Sequence, residues 1–241
     1  MMQINPLYIL PNFFTALSAF LGFLSIAHAA SGRFENACWL IFCALIFDGL
    51  DGRVARLTGT TSKFGVEFDS LADVIAFGVA PAALLFMYLG IHFSKFGIVV
   101  SGLFVVMGAM RLARFNVAAN SGDPNVFIGL PIPSAAVFVA AWILIDVHYE
   151  LPQWFEVALL VMSLCVSVLM VSNIRYPSFK HWADRGISLR TLIVLIVIVL
   201  VLLYLYTALG LAILITGYIL FGVLRAFYLM LKHIWHSKRS S

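Results

Sequence analysis

The chain has 241 residues, 63% of them hydrophobic and 11% charged, and its mean hydropathy is +1.04. A soluble domain is about half apolar and about a quarter charged, so this composition excludes a soluble globular protein and implies an integral membrane one. The formal net charge of +4 comes from basic residues spread over loops, which the positive-inside rule explains better than nucleic-acid binding does.

Only helices and closed barrels satisfy every backbone polar group in lipid. The apolar runs here are continuous rather than alternating, as in "TLIVLIVIVLVLLYLYTALGLAILITGYILFG", so the fold class is all-α, a polytopic bundle. At about 20 residues per span, eight spans are expected, roughly at residues 7–30, 36–57, 68–91, 96–115, 130–147, 154–173, 190–208 and 210–231. The first run lacks a positively charged preceding segment and reads as a retained span rather than a cleaved signal. The last two are separated only by "TALGLA", where a tight hairpin is expected. The reading is therefore one domain over residues 1–241, with a six-helix core at about 7–185 and a C-terminal helical pair at about 190–232.

Charge sets the orientation. With both termini on one side, that side receives every Lys and Arg except Arg33 and Lys95. Both termini are thus expected in the cytoplasm. Cys38, Cys43 and Cys165 lie in apolar runs without a CxxC or Cys/His cluster, so neither a disulfide framework nor zinc is implied. The six histidines are scattered and are expected to be structural. The basic C-terminal tail reads as a juxtamembrane anchor beside anionic headgroups.

The chemistry concentrates in "FDGLDGRVARLTGTTSKFGVEFDSLADVIAFG". Asp48 and Asp51 are spaced i, i+3 at the end of the second span; Asp69 and Asp73 are spaced i, i+4 at the start of the third. Each pair shares a helical face, and the short link between them makes the two helices antiparallel neighbours. Four carboxylates then converge at the inner membrane face. Ionisable groups at membrane depth are costly and mark function. A hard divalent cation relieves their repulsion, and Mg²⁺ or Mn²⁺ suits carboxylate oxygens, as one ion or two sharing ligands. Gly49, Gly52 and Ala55 leave a face without bulk, open to ligand approach or to helix packing. Arg56, one turn beyond Gly52, reads as a phosphate clamp. Together these suggest phosphoryl-group chemistry on a nucleotide-like donor.

The pattern Asp48-x2-Asp51-Gly52-x2-Ala55-Arg56-x8-Gly65-x3-Asp69-x3-Asp73 resembles the signature of the CDP-alcohol phosphotransferases, with every position filled. Flanking stretches, "LPNFFTALS", "FGVEFDSLADVIAFGVAPA", "RLARFN", "GLPIPSAA" and "MVSNIRYPSFK", are similar to the integral-membrane phosphatidylserine synthases of bacteria and archaea. The resemblance implies transfer of a phosphatidyl group from CDP-diacylglycerol to L-serine, releasing CMP, in the cell membrane of a prokaryote. It implies that Asp48, Asp51, Asp69 and Asp73 hold the divalent metal and that Asp73 is the general base. It places Gly52, Ala55 and Gly65 toward the nucleotide with Asn12, Thr15 and Arg56 nearby, and it implies a homodimer.

Serine needs its carboxylate held. Arg111, Arg114 and Asn116 are the candidates on the same membrane side, although the charge bias alone also accounts for the arginines. "RYPSFK" at 175–180 reads as a rigid basic loop, and "GLPIPSAA" as the start of a helix, since Pro suits a first helical turn. Other acceptors, glycerol 3-phosphate, inositol phosphate or choline, would use the same chemistry. A divalent-cation transporter would instead place its acids near the midplane, often in two related halves, and no second half repeats these.

Overall fold

The computed structural model describes residues 9–119, 127–176 and 207–237. The chain folds as a bundle of long antiparallel helices. α1 (Ile9–Ala30) and α2 (Phe34–Leu57) form a hairpin around Gly32, whose φ of +72° is the left-handed conformation that a three-residue reversal needs. Their seam is built from small residues. Ser18, Gly22, Ser25 and Ala29 of α1 are buried against Ala37, Cys38, Ile41 and Ala44 of α2. Ser18 Oγ donates to the Ala44 carbonyl at 3.1 Å and Ser25 Oγ to the Ala37 carbonyl at 2.8 Å. Without bulk, the backbones approach closely, which is how helices associate in lipid.

The third span runs continuously from Lys63 to Gly90. It comprises α3 (Lys63–Asp73), a π-helical turn at Val74–Val79, α4 (Ala80–Leu85) and a second π turn at Phe86–Gly90. It begins before the expected residue 68 because Ser62 caps it, its Oγ accepting from Gly65 N at 3.0 Å. The first π turn widens the helix just where Pro81 withholds its N–H, so the chain crosses without a break. Gly22 packs on this turn: a Cβ there would lie 2.7 Å from the Ala76 Cα.

α5 (Ser94–Ala119) returns beside the third span, their junction closed by Gly90 against Gly97. α6 (Ile132–Tyr149) is the most buried span and packs against α2, α4, α7 (Gln153–Val171) and α8 (Thr207–Ser237). Pro131 and Pro133 stand at its first turn, in line with the reading of "GLPIPSAA". One departure from an all-helical chain is a two-residue antiparallel ladder, β1 (Phe127–Ile128) with β2 (Arg175–Tyr176), pairing Phe127 with Tyr176. Gly129 follows it at φ +84°, its N–H bonded to the Ile174 carbonyl at 2.9 Å. At the opposite end of the bundle, buried Asp146 accepts from Tyr88 Oη at 2.9 Å and from Leu151 N at 3.0 Å, clasping the α6–α7 turn to the third span. His148, expected to be structural, bonds the Leu144 carbonyl through Nδ1 at 2.9 Å.

Among the described residues, six helices are long and apolar enough to cross a membrane. α2, at 24 residues, is also long enough but carries the acidic residues of the site. Large apolar side chains such as Phe13, Phe20 and Phe23 on α1 and Leu220, Phe221 and Leu224 on α8 face outward, as lipid contact requires. The hairpin expected at "TALGLA" is corrected: residues 207–212 are already helical and open α8. The span expected at 190–208 and the loop at 177–180 lie outside the described residues but for Thr207 and Ala208.

Candidate active site at one end of the bundle

α2 brings its acids to the site because it ends just beyond them. Its last turn closes on Gly59 (φ +64°), with Thr60 N bonded back to the Ala55 carbonyl at 3.0 Å, a glycine-terminated helix end. Three residues later Ser62 starts α3. The link is so short that α2 and α3 lie side by side, and Asp48 and Asp51 meet Asp69 and Asp73.

Carboxylate oxygens of Asp48, Asp51 and Asp69 lie within 4.8 Å of one another. One divalent cation fits between ligand atoms at that separation, and an all-oxygen set suits a hard ion. Asp51, only 5% exposed, accepts a 2.6 Å hydrogen bond from Thr15 Oγ1 of α1. That bond fixes the carboxylate and leaves its other oxygen for the cluster. Asp73 lies deeper, with Asp48 and Asp69 as acidic neighbours and Arg111 of α5 as its cationic one. Its Oδ1 is buried without a hydrogen-bond partner among the described residues. The first π turn begins at the next residue, Val74, so Asp73 projects from the point where the helix widens. The sequence pattern did not reveal that turn.

In front of the acids is an open cleft of about 190 Å³. All six residues expected toward the nucleotide line it: Asn12, Thr15, Gly52, Ala55, Arg56 and Gly65. Gly52 lies under the guanidinium of Arg56: a Cβ there would sit 3.4 Å from Arg56 Nη1. A Cβ on Gly65 would come to 3.1 Å from Ser62 Oγ and 3.4 Å from Asn12 Oδ1. Glycine at both positions keeps the cleft floor flat. Gly49 does not line the cleft; it is exposed, with nothing within 4 Å of a Cβ built on it. Thr60, Thr61 and Ser62 complete the wall. Sequence reading passed over them as a polar link, although Gly59 and the capping Ser62 already marked where the chain must fold back.

The three residues expected to hold the acceptor separate. Arg111 is 7% exposed and sits by Asp73. Arg114 donates from Nη1 to the Val171 carbonyl at 3.1 Å and from Nη2 to Asn173 Oδ1 at 2.5 Å, so it caps the end of α7. Asn116 Nδ2 donates to Ser70 Oγ at 2.9 Å and ties α5 to α3. On α5, Arg114 and Asn116 thus face different neighbours from Arg111, because residues close in sequence on a helix point in different directions.

An acidic cluster and a flat-floored cleft carried by apolar antiparallel helices define a membrane enzyme site for a phosphorylated donor. A sequence model of the CDP-alcohol phosphatidyltransferase family matches residues 8–168, and the chain belongs to that family. It is 50% identical over 241 residues to the CDP-diacylglycerol–serine O-phosphatidyltransferase of Helicobacter pylori strain 26695, covering 100% of both chains. It is 42% identical over 177 residues to the archaetidylserine synthase of Methanothermobacter thermautotrophicus, covering 73% of this chain and 72% of that one. It is 37% identical over 174 residues to the CDP-diacylglycerol–serine O-phosphatidyltransferase of Mycobacterium leprae, covering 70% of this chain and 58% of that one.

Proposed function

We propose that the protein transfers the phosphatidyl group of CDP-diacylglycerol to the hydroxyl of L-serine, forming phosphatidylserine and CMP. The observation that carries the reading is the cluster of Asp48, Asp51 and Asp69, with Asp73 beside it, at the cleft that gathers all six candidate nucleotide residues. The full-length relative with a serine transferase name supports the acceptor.

Asp48, Asp51 and Asp69, with Asp73, would hold Mg²⁺ or Mn²⁺, one ion or two. When bound, such an ion neutralises the diphosphate and the departing CMP. Arg56 clamps a phosphate at the cleft mouth, and Gly52, Ala55 and Gly65 let the nucleotide lie close to the backbone. Asp51 and Asp69 face this cleft, whereas Asp73 and Arg111 lie behind them. Donor and acceptor thus approach the reacting phosphorus from different sides, as in-line displacement requires. Arg111 receives the serine carboxylate. Asp73 Oδ1, without a hydrogen-bond partner among the described residues, accepts the serine hydroxyl proton as the new ester forms. Arg114 and Asn116 hold α5 in place for this. The product of the direct displacement is the phosphodiester itself, with no covalent enzyme intermediate.

The orientation belongs to the same proposal. Arg53, Arg56, Lys63, Arg111 and Arg114 stand at the site end, whereas Arg33 and Lys95 stand at the other. The positive-inside rule then puts the site at the cytoplasmic face, with eight spans, both termini cytoplasmic, a single domain and a homodimer in the cell membrane.

The test is an acceptor assay on purified protein in detergent with CDP-diacylglycerol, Mn²⁺ or Mg²⁺, and one labelled alcohol at a time. Serine-dependent CMP release with labelled phosphatidylserine, abolished by chelator and restored by metal, is the expected result. Release with only another alcohol would keep the chemistry and sink the serine assignment.

A further inference from the structure

The family match ends at residue 168, so β2 and α8 lie beyond it, yet Tyr218 of α8 lies within electrostatic reach of Arg111. Tyr176 of β2 is 3% exposed, and its ring lies 5.5 Å from that of Tyr218 on α8, the planes 37° apart. One turn further along α8, Gly222 leaves room for nothing larger: a Cβ there would come within 2.1 Å of Tyr176 Cε1. Tyr176 is therefore wedged between Tyr218 and a glycine notch. Arg111 lies within electrostatic reach of both Tyr218 and Asp73, its guanidinium 5.3 Å from the centre of the Phe115 ring. Two buried polar atoms here have no hydrogen-bond partner among the described residues, Arg111 Nε and Tyr176 Oη. An unsatisfied buried donor is destabilising, and such groups call for a ligand or another explanation. Burial, and secondarily Tyr218, pushes the Tyr176 phenol up to about 12, so it remains a donor. Two orphan donors on side chains that share Tyr218 as a neighbour, one of them near Asp73, suit an anionic group.

We propose that α8 builds one wall of the acceptor pocket: Tyr218 and the Gly222 notch position Tyr176, which with Arg111 receives the carboxylate of an amino-acid acceptor beside Asp73. This rests on the serine-transfer reading above. Tyr218 is a positioning residue, and the last helix is part of the site as well as a membrane anchor.

The test compares wild type with Tyr176→Phe and Gly222→Ala. Binding of labelled serine is measured by equilibrium dialysis with CMP and Mn²⁺ present, and KM is measured for serine and for CDP-diacylglycerol. Each variant should weaken serine binding and raise its KM about five- to tenfold, the equivalent of one net hydrogen bond. KM for CDP-diacylglycerol should stay within about twofold, because the donor cleft is built from α1, α2 and α3. Tyr176→Phe keeps the ring wedged against Tyr218, removes only the orphan hydroxyl, and guards against a folding defect in Gly222→Ala. Unchanged serine affinity in both variants overturns the proposal, as does an equal rise in both KM values, which marks a purely structural role. Wild type that binds serine but releases no CMP would overturn the transferase reading while leaving the pocket standing. Wild type that binds no serine overturns the pocket.

Discussion

Each aspartate owes its role to its neighbours. Thr15 donates to Asp51 at 2.6 Å, so Thr15→Val should leave the fold intact but loosen the metal site. Apparent Mn²⁺ affinity is expected to fall about tenfold, the low end for removing a group that orients a ligand; titration of activity with Mn²⁺, checked by the EPR signal of free ion, measures it. Asp73 is different because its Oδ1 has no hydrogen-bond partner among the described residues. Asp73→Asn should cut kcat by about 10³-fold or more, the range for removing a general base, with the KM for CDP-diacylglycerol nearly unchanged. Near-normal turnover in that variant would remove Asp73 from the base role. The four aspartates were legible from their spacing, whereas Thr15 came into view only through the family resemblance. The Thr15–Asp51 bond was not, because the two lie on different helices and only their packing joins them.

Helix ends and close approaches decide what each element can do. The start of α3 at Lys63 rather than near 68 follows from Ser62, a capping signal the sequence carried in plain view. The contact of Gly90 and Gly97 was not legible, since each glycine alone is compatible with ordinary lipid-facing packing. A Cβ on Gly97 would lie 2.2 Å from the Gly90 carbonyl oxygen, a backbone atom that cannot swing away. Gly97→Ala should therefore destabilise the third-span–α5 hairpin by about 1–3 kcal/mol, the usual cost of overpacking. A thermal-unfolding series in detergent, with Gly102→Ala as the control at an open position, checks this. Equal melting temperatures for the two variants would contradict the packing argument. The π turns escaped sequence reading for a similar reason: hydrophobic periodicity fixes a helix face only to within a residue or so, and one extra residue per turn does not disturb a run apolar on all sides.

For the molecule as a whole, the decisive question is which end faces the cytoplasm. Single cysteines at Lys63 and at Lys95, introduced with Cys38→Ala, Cys43→Ala and Cys165→Ser, report it in intact cells. A membrane-impermeant maleimide should label position 95 and not position 63 until the membrane is opened; the reverse would invert the topology and remove the site from its soluble substrate. Composition with continuous apolar runs determined that this is a helical membrane protein, because only helices and closed barrels satisfy backbone groups in lipid and a barrel strand would alternate. Local spacing determined the acidic quartet and its flanking glycines, because i, i+3 and i, i+4 positions share a face whatever the tertiary fold. Only the packing of helices decided the rest. It set Arg111 against Asp73 while turning Arg114 to α7 and Asn116 to Ser70, and it brought Tyr218 and Gly222 from a helix without any recognisable motif onto Tyr176. Contacts between residues far apart in the chain depend on how helix surfaces mesh in three dimensions, and that complementarity is spread over many side chains rather than written in one stretch of sequence.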